Sequence, residues 1–256
     1  SMRPFIIVGP EGAGKSLLLR HALTELKSAS IAIINCSAET GSNHVISKLF
    51  ETCAMFTTNS GRVLRPKDGE RLVLYFKNLN LPRPDKYNTM EIISLLQQLI
   101  TYKGFYDDSL DWVGIERVQI VATMNPSTTV GRHKLSTRFT SIVSILCIDY
   151  PAPDQLKRIC SNFLAAVVKY NRAGERKMKQ ASTWAKPAAI NGLASTMVDI
   201  YQKLRRKFTV AERRHYIFCP RDLTRWVFNL LRYDFGVQSL LDCWTYESHR
   251  IFSDRL

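Results

Sequence analysis

Gly9-Pro10-Glu11-Gly12-Ala13-Gly14-Lys15-Ser16 decides the fold, because it fits the phosphate-binding loop pattern and stands between a strand and a helix. Before it, Arg3-Pro4-Phe5-Ile6-Ile7-Val8 is a short apolar run of the kind a buried parallel strand needs. After it, Ser16 through Leu23 opens a helix. Gly9, Gly12 and Gly14 let backbone amides turn onto a phosphate at the positive end of that helix. Lys15 would reach the outer phosphates and the Ser16 hydroxyl would ligate Mg²⁺, with the binding segment running from Gly9, Pro10 and Glu11 through Ala13 to Leu17. A chance glycine-rich turn beside a lysine is the bland alternative.

A hydrolytic site needs a second half, an apolar strand ending in two carboxylates: one for the metal, one for the attacking water. Leu72-Val73-Leu74-Tyr75-Phe76 is such a strand, but Lys77 and Asn78 stand where the acids belong. An ammonium is repelled by Mg²⁺ and has no lone pair for a proton; an amide can hold water but is no base. Catalytic residues are therefore expected to be absent, with hydrolysis very weak and Mg²⁺ doubtful as a cofactor. A further expectation is that the Lys77 ammonium meets the phosphates itself. A displaced acid, Asp85 or Glu39, is the alternative that would keep the site active.

The 256 residues carry a formal charge of +14, unevenly placed. Residues 1 to 150 hold 17 Lys/Arg against 13 Asp/Glu, and residues 151 to 256 hold 19 against 9. The excess gathers in Arg172, Arg176, Lys177, Lys179 and Lys186, then in Lys203, Arg205, Arg206, Lys207, Arg213 and Arg214. Such a patch could meet nucleic acid, but a solvated helical face explains it without a recognised nucleic-acid motif, so nucleic acid is not an expected partner. No run of about eighteen apolar residues exists, so no membrane span is expected. Six scattered cysteines without a C-x-x-C pair read as free thiols, and five histidines show no metal-ligand spacing. Ser1-Met2 reads as what a cleaved tag leaves, so the chain is expected to be a piece of a longer protein.

Elsewhere strands and helices alternate, which predicts a parallel sheet covered on both sides. Ile31–Asn35, Arg117–Met124 and Ser141–Ile148 read as further strands, and Asn43–Phe56 and Thr89–Ile100 as helices. Asn59-Ser60-Gly61 is a turn, Arg62–Arg65 a short extra strand, and Lys103–Tyr106 with Asp111–Val113 a hairpin. Pro151-Ala152-Pro153-Asp154 closes the sheet lobe; the remainder of the chain is helical in period, with helices from Asp154 through Val168 and near Met197, Trp226 and Cys243. Asn171–Lys186 reads as an exposed connection. Three more polar residues draw notice. Asn125, at a strand end before Pro126, either touches a phosphate or starts a turn. Arg138 is either a finger reaching a neighbouring module or an ordinary surface arginine. Arg221 sits in the first turn of a helix, where a cation is unfavourable, so it either holds phosphate or pairs with Asp222 or Asp85.

The phosphate loop, Leu79-Asn80-Leu81-Pro82 with Asp85-Lys86-Tyr87, Gly104-Phe105-Tyr106, Asn125-Pro126, Gly131-Arg132, Leu135-Ser136, Arg138-Phe139, Asp149-Tyr150-Pro151 and Pro220–Trp226 occur in an order that closely resembles a dynein heavy chain AAA+ module. The likeness spans nearly the whole chain, and its later motifs resemble the third of six modules in the motor ring. It implies an α/β P-loop fold: a five-stranded parallel sheet in a large nucleotide-binding subdomain over 1–150, then a small helical subdomain over 151–256. Gly9 through Ser16 would be Walker A; Lys77 and Asn78 would occupy the Walker B positions. Asn125 would be sensor I, Arg221 sensor II, and Arg138 a finger directed at the preceding module's nucleotide. The implied cofactor is ATP or ADP. The implied partners are neighbouring modules of the same heavy chain, microtubules, and dynein intermediate and light chains, in cytoplasm, cytoskeleton and cilium. Such a motor is an ATPase, with the third module acting as a regulatory switch; the departure at Lys77 and Asn78 puts catalysis by this module in doubt.

Overall fold

The structure is a computed structural model and describes residues 2–59, 61–173, 184, 186–235 and 237–256. Two compact units divide it, Ser1–Asp149 and Tyr150–Leu256.

In the first unit, five strands form one parallel sheet in the order β2-β5-β8-β1-β9: β1 (Phe5–Val8), β2 (Ala29–Asn35), β5 (Arg71–Lys77), β8 (Val118–Met124) and β9 (Ser144–Cys147). β5 is apolar from Leu72 to Phe76 because both of its faces are covered there. Leu72, Leu74 and Phe76 join the core that also holds Val45 and Leu49 of α2 (Ser42–Thr52) and Ile92, Leu95, Leu96 and Leu99 of α3 (Glu91–Tyr102). Val73 and Tyr75 face the other way, packing with Ile7, Val121 and with Leu19 and Leu23 of α1 (Lys15–Thr24). Strand alternation then puts Lys77 on the α1 side of the sheet, one pleat beyond Tyr75.

A second sheet of four strands, β3-β4-β7-β6, belongs to the same unit: β3 (Cys53–Thr58), β4 (Gly61–Pro66), β6 (Gly104–Tyr106) and β7 (Trp112–Ile115). The expected extra strand and hairpin are both in it, but as parts of one sheet, with β4 parallel to β7. The helix expected over Asn43–Phe56 is a correction: α2 stops at Thr52, and Cys53–Thr58 pairs antiparallel with Gly61–Pro66. Residues 53–58 continue the apolar content of α2, but the ladder with β4 wins, helped by Leu64 and Cys53 being buried against the main core. A short helix, α4 (Thr137–Thr140), is capped by Ser136, whose hydroxyl accepts the Phe139 amide.

The second unit is helical: α5 (Pro153–Ala173), α6 (Pro187–Lys207), α7 (Pro220–Asn229), α8 (Leu240–Phe252) and short 3₁₀ turns at Leu230–Arg232 and Ser253–Arg255. Its core centres on Trp226, whose Nε1 donates to the Trp244 carbonyl at 2.9 Å with the two rings 4.6 Å apart. Two buried carboxylates are fully used. Asp222 accepts the Cys219 amide at 3.0 Å and pairs with Arg255 at 3.1 Å. Glu247 accepts from Asn229, Tyr233 and Arg250 at 2.9, 2.7 and 3.0 Å. Helix α5 runs past the expected end at Val168 into Asn171–Lys186, most of which lies outside the described residues.

Candidate functional site

The loop leaves β1 at Gly9, which has no room for a side chain: a Cβ there would lie 2.3 Å from the Ile148 carbonyl oxygen beyond β9. Gly14 caps α1 with φ 87°, a left-handed conformation that glycine alone adopts at no steric cost. Lys15, first residue of α1, is only 8% exposed. Its ammonium donates to the carbonyls of Gly9 at 2.8 Å and Pro10 at 2.7 Å and to Asn125 Oδ1 at 2.9 Å. These contacts hold the buried charge against the loop and the end of β8.

Asn125 reaches Lys15 because β8 lies beside β1, with Met124 opposite Val8. Its own carbonyl accepts from Asn80 Nδ2 at 2.7 Å. Asn80 is 1% exposed, and its Oδ1 is buried without a hydrogen-bond partner. Lys15, Asn125 and Asn80 thus form one chain from the phosphate loop to the segment after β5. Sequence reading did not mark Asn80 as part of the site, although an asparagine between Leu79 and Leu81 was a signal that a buried amide had a task.

At the end of β5, Lys77 lies opposite Thr123 of β8 and Asn35 of β2. Its ammonium sits 5.8 Å from the centroid of the Tyr75 ring. Asn78 comes next with φ 58°, a conformation that asparagine tolerates better than most residues. Tyr75 itself was missed, since a tyrosine in an apolar strand reads as core. Its hydroxyl donates to Ser16 Oγ at 3.1 Å and lies 3.2 Å from Thr123 Oγ1.

Among the described residues, the loop presents a phosphate cradle and the end of β5 presents Lys77 and Asn78. The glycine cradle and the buried lysine fit a nucleotide; the end of β5 offers an ammonium and an amide where a base would act. Asp85 is spent elsewhere. It accepts the amides of Tyr87 and Thr89, both at 2.9 Å, and the Thr89 hydroxyl at 2.8 Å. Those bonds, led by the Thr89 amide, hold its carboxyl below the usual range, which suits a turn-former and not a general base. Glu39 is exposed beyond β2.

Arg138 is exposed on α4. Arg221 belongs to the second unit, exposed in the first turn of α7, where Pro220 opens the helix. In the basic cluster of that unit, Arg205 stacks on Tyr150 at 4.7 Å and Arg213 lies over Tyr216 at 5.7 Å, so part of it serves packing. Burial pushes the Cys36 thiol up to about 12 and that of Cys160 to about 11, which keeps both protonated at neutral pH.

Comparison with known proteins agrees with the two units. Residues 1–151 match the family described as the P-loop containing dynein motor region, and residues 154–256 match the dynein heavy chain ATPase lid domain. Cytoplasmic dynein 2 heavy chain 1 of Tripneustes gratilla is 49% identical over 260 residues, 99% of this chain and 6% of that protein. The protein of that name in Homo sapiens is 48% identical over 261 residues, with the same coverage. The cytoplasmic dynein heavy chain of Caenorhabditis elegans is 33% identical over 261 residues, again 99% and 6%. The chain therefore spans about 6% of the length of the curated relatives it matches.

Proposed function

The chain belongs to the dynein heavy-chain family, and on that premise we propose that it is a nucleotide-holding module that does not hydrolyse what it holds, a regulatory and structural part of a motor ring. The nucleotide is ATP or ADP. Gly9 through Leu17 wrap its phosphates, Lys15 reaches the outer ones, and Asn125 senses the terminal group. Arg221 takes the part of sensor II. Arg138 serves as a finger for a nucleotide held by the preceding module. In the intact heavy chain, this would be the third module of a minus-end-directed microtubule motor for retrograde intraflagellar transport, with intermediate and light chains as associates, in cytoplasm and cilium. A module that binds without turnover acts as a brace or slow sensor between its ring neighbours.

One observation carries the reading: a complete phosphate loop, its lysine held by Asn125, two strands away from a β5 that ends at Lys77 with Asn78 next. The test is nucleotide binding and steady-state ATPase on the same preparation, with Lys15→Ala as control. Removing a charge-assisted contact of about 1.5–3 kcal/mol should weaken binding by roughly tenfold or more, while turnover stays at the control's background in both proteins. Turnover well above background that disappears in Lys15→Ala would refute the proposal.

A further inference from the structure

Mg²⁺ is the ion the family implies beside Ser16, and the donor set does not fit it. A magnesium site wants oxygen ligands, usually one or two of them carboxylates. Here β5 ends at Lys77 with Asn78 next, and among the described residues no three His, Cys, Asp or Glu side chains gather as a metal site. The Ser16 hydroxyl is engaged as well. Tyr75 donates to its oxygen at 3.1 Å, taking one of the two lone pairs that would face a cation and leaving the hydroxyl's own proton to be donated. Tyr75 is 2% exposed, and its hydroxyl is also 3.2 Å from Thr123 Oγ1, so the contact is built into the core.

Lys77 stands on that same face. It is opposite Thr123 in the sheet, and its ammonium lies 5.8 Å from the centroid of the ring whose hydroxyl holds Ser16. From there a four-carbon side chain places a positive charge on the side of the sheet where the loop and α1 lie. Two amides extend the polar chain, Asn125 on Lys15 and Asn80 on Asn125, with Asn80 Oδ1 buried and still able to accept a hydrogen bond.

We propose that this site holds its nucleotide without a divalent cation: Lys77 supplies the positive charge in place of the metal, and Tyr75, as a positioning residue, turns Ser16 from a metal ligand into a hydrogen-bond donor to phosphate. The inference rests on the nucleotide-holding function proposed above. It also accounts for a lysine standing at a position where hydrolysis would need an acid, since there it becomes part of the grip.

The experiment is a titration of the chain with a fluorescent ATP analogue in excess EDTA and again in millimolar Mg²⁺, with Lys15→Ala alongside. Affinity should be the same within about twofold in the two buffers and be lost in Lys15→Ala, because both cations needed are covalently part of the protein. Lys77→Asp should lose about tenfold or more in EDTA and regain affinity with Mg²⁺, the carboxylate restoring a metal ligand. Tyr75→Phe keeps the packing and removes only the hydroxyl; it should bring a modest gain from Mg²⁺ that the parent chain lacks. Binding by the parent chain only when Mg²⁺ is present overturns this inference and leaves nucleotide holding intact. Lys77→Asp binding in EDTA as tightly as the parent also overturns it. No binding in either buffer overturns both.

Discussion

The phosphate loop and the end of β5 lie in one sheet with only β8 between them, yet one keeps the pattern for its task and the other does not. The loop's work is done largely by backbone: a glycine that a Cβ would drive into Ile148, a left-handed cap at Gly14, and carbonyls that hold Lys15. Changing those residues disturbs the fold itself. At the end of β5 the backbone bonds are indifferent to the side chain. The Lys77 carbonyl accepts from Cys36 at 3.0 Å and the Leu79 amide donates to Thr123 at 3.1 Å whether residue 77 is an acid or a base. Binding is therefore tied to folding in this chain, while hydrolysis would depend on two side chains that the fold does not need.

If that contrast is right, the largest effect should come from Gly9→Ala. Its Cβ would meet a backbone oxygen at 2.3 Å, so β1 or the segment after β9 must shift. Overpacking of this kind costs about 1–3 kcal/mol, and the displaced loop should also lose nucleotide binding. Urea denaturation and nucleotide titration check the two halves together. A stable Gly9→Ala protein with intact binding would break the comparison, because the loop would then be as tolerant as the strand end.

Next in size is Asn125→Ala. It takes one acceptor from a buried ammonium, which should cost about 1–3 kcal/mol in the absence of ligand. Phosphate oxygens can supply the lost acceptor, so saturating ATP should close part of the gap in melting temperature between variant and parent chain. An equal gap with and without ATP would mean that the Lys15–Asn125 contact does not sense the ligand, and the chain from loop to β8 would lose its functional meaning.

How much of this was written in the sequence divides along a physical line. The five parallel strands were legible because each is a short, largely apolar run, buried on both faces in β5 and β8. The loop was legible because its spacing is local. The four-stranded sheet was legible only in pieces. Its β4–β7 pairing joins Arg62–Leu64 to Val113–Ile115, some fifty positions away, and Arg62 is held there by ion pairs to Asp107 and Asp111. Nothing local announces such a partner, so residues 53–58 read as more helix. At the site, Asn125 stood open between phosphate contact and turn initiation. What sets it against Lys15 is that β8 neighbours β1, a fact of sheet order. Tyr75 and Asn80 were hidden for a further reason: a polar atom in an apolar run looks like core until its partners are known.

The smallest effect belongs to Asp85, the acid best placed in sequence to stand in for the missing pair. Its carboxylate accepts from Tyr87 and Thr89, and these bonds lower its pKa from 3.8, the Thr89 amide contributing most. A depressed folded pKa means that the stabilisation is fully present above 3.8 and is lost as pH falls below it, toward the folded value. Asp85→Asn keeps an amide oxygen for the two backbone donors and removes the titration. The variant should be slightly less stable than the parent chain at about pH 6, and the two denaturation midpoints should converge in acid, below about pH 4. Its residual ATP turnover should equal the parent's. A drop in turnover with no change in the acid limb would make Asp85 a displaced catalytic acid and return to β5's neighbourhood the chemistry that Lys77 and Asn78 take away.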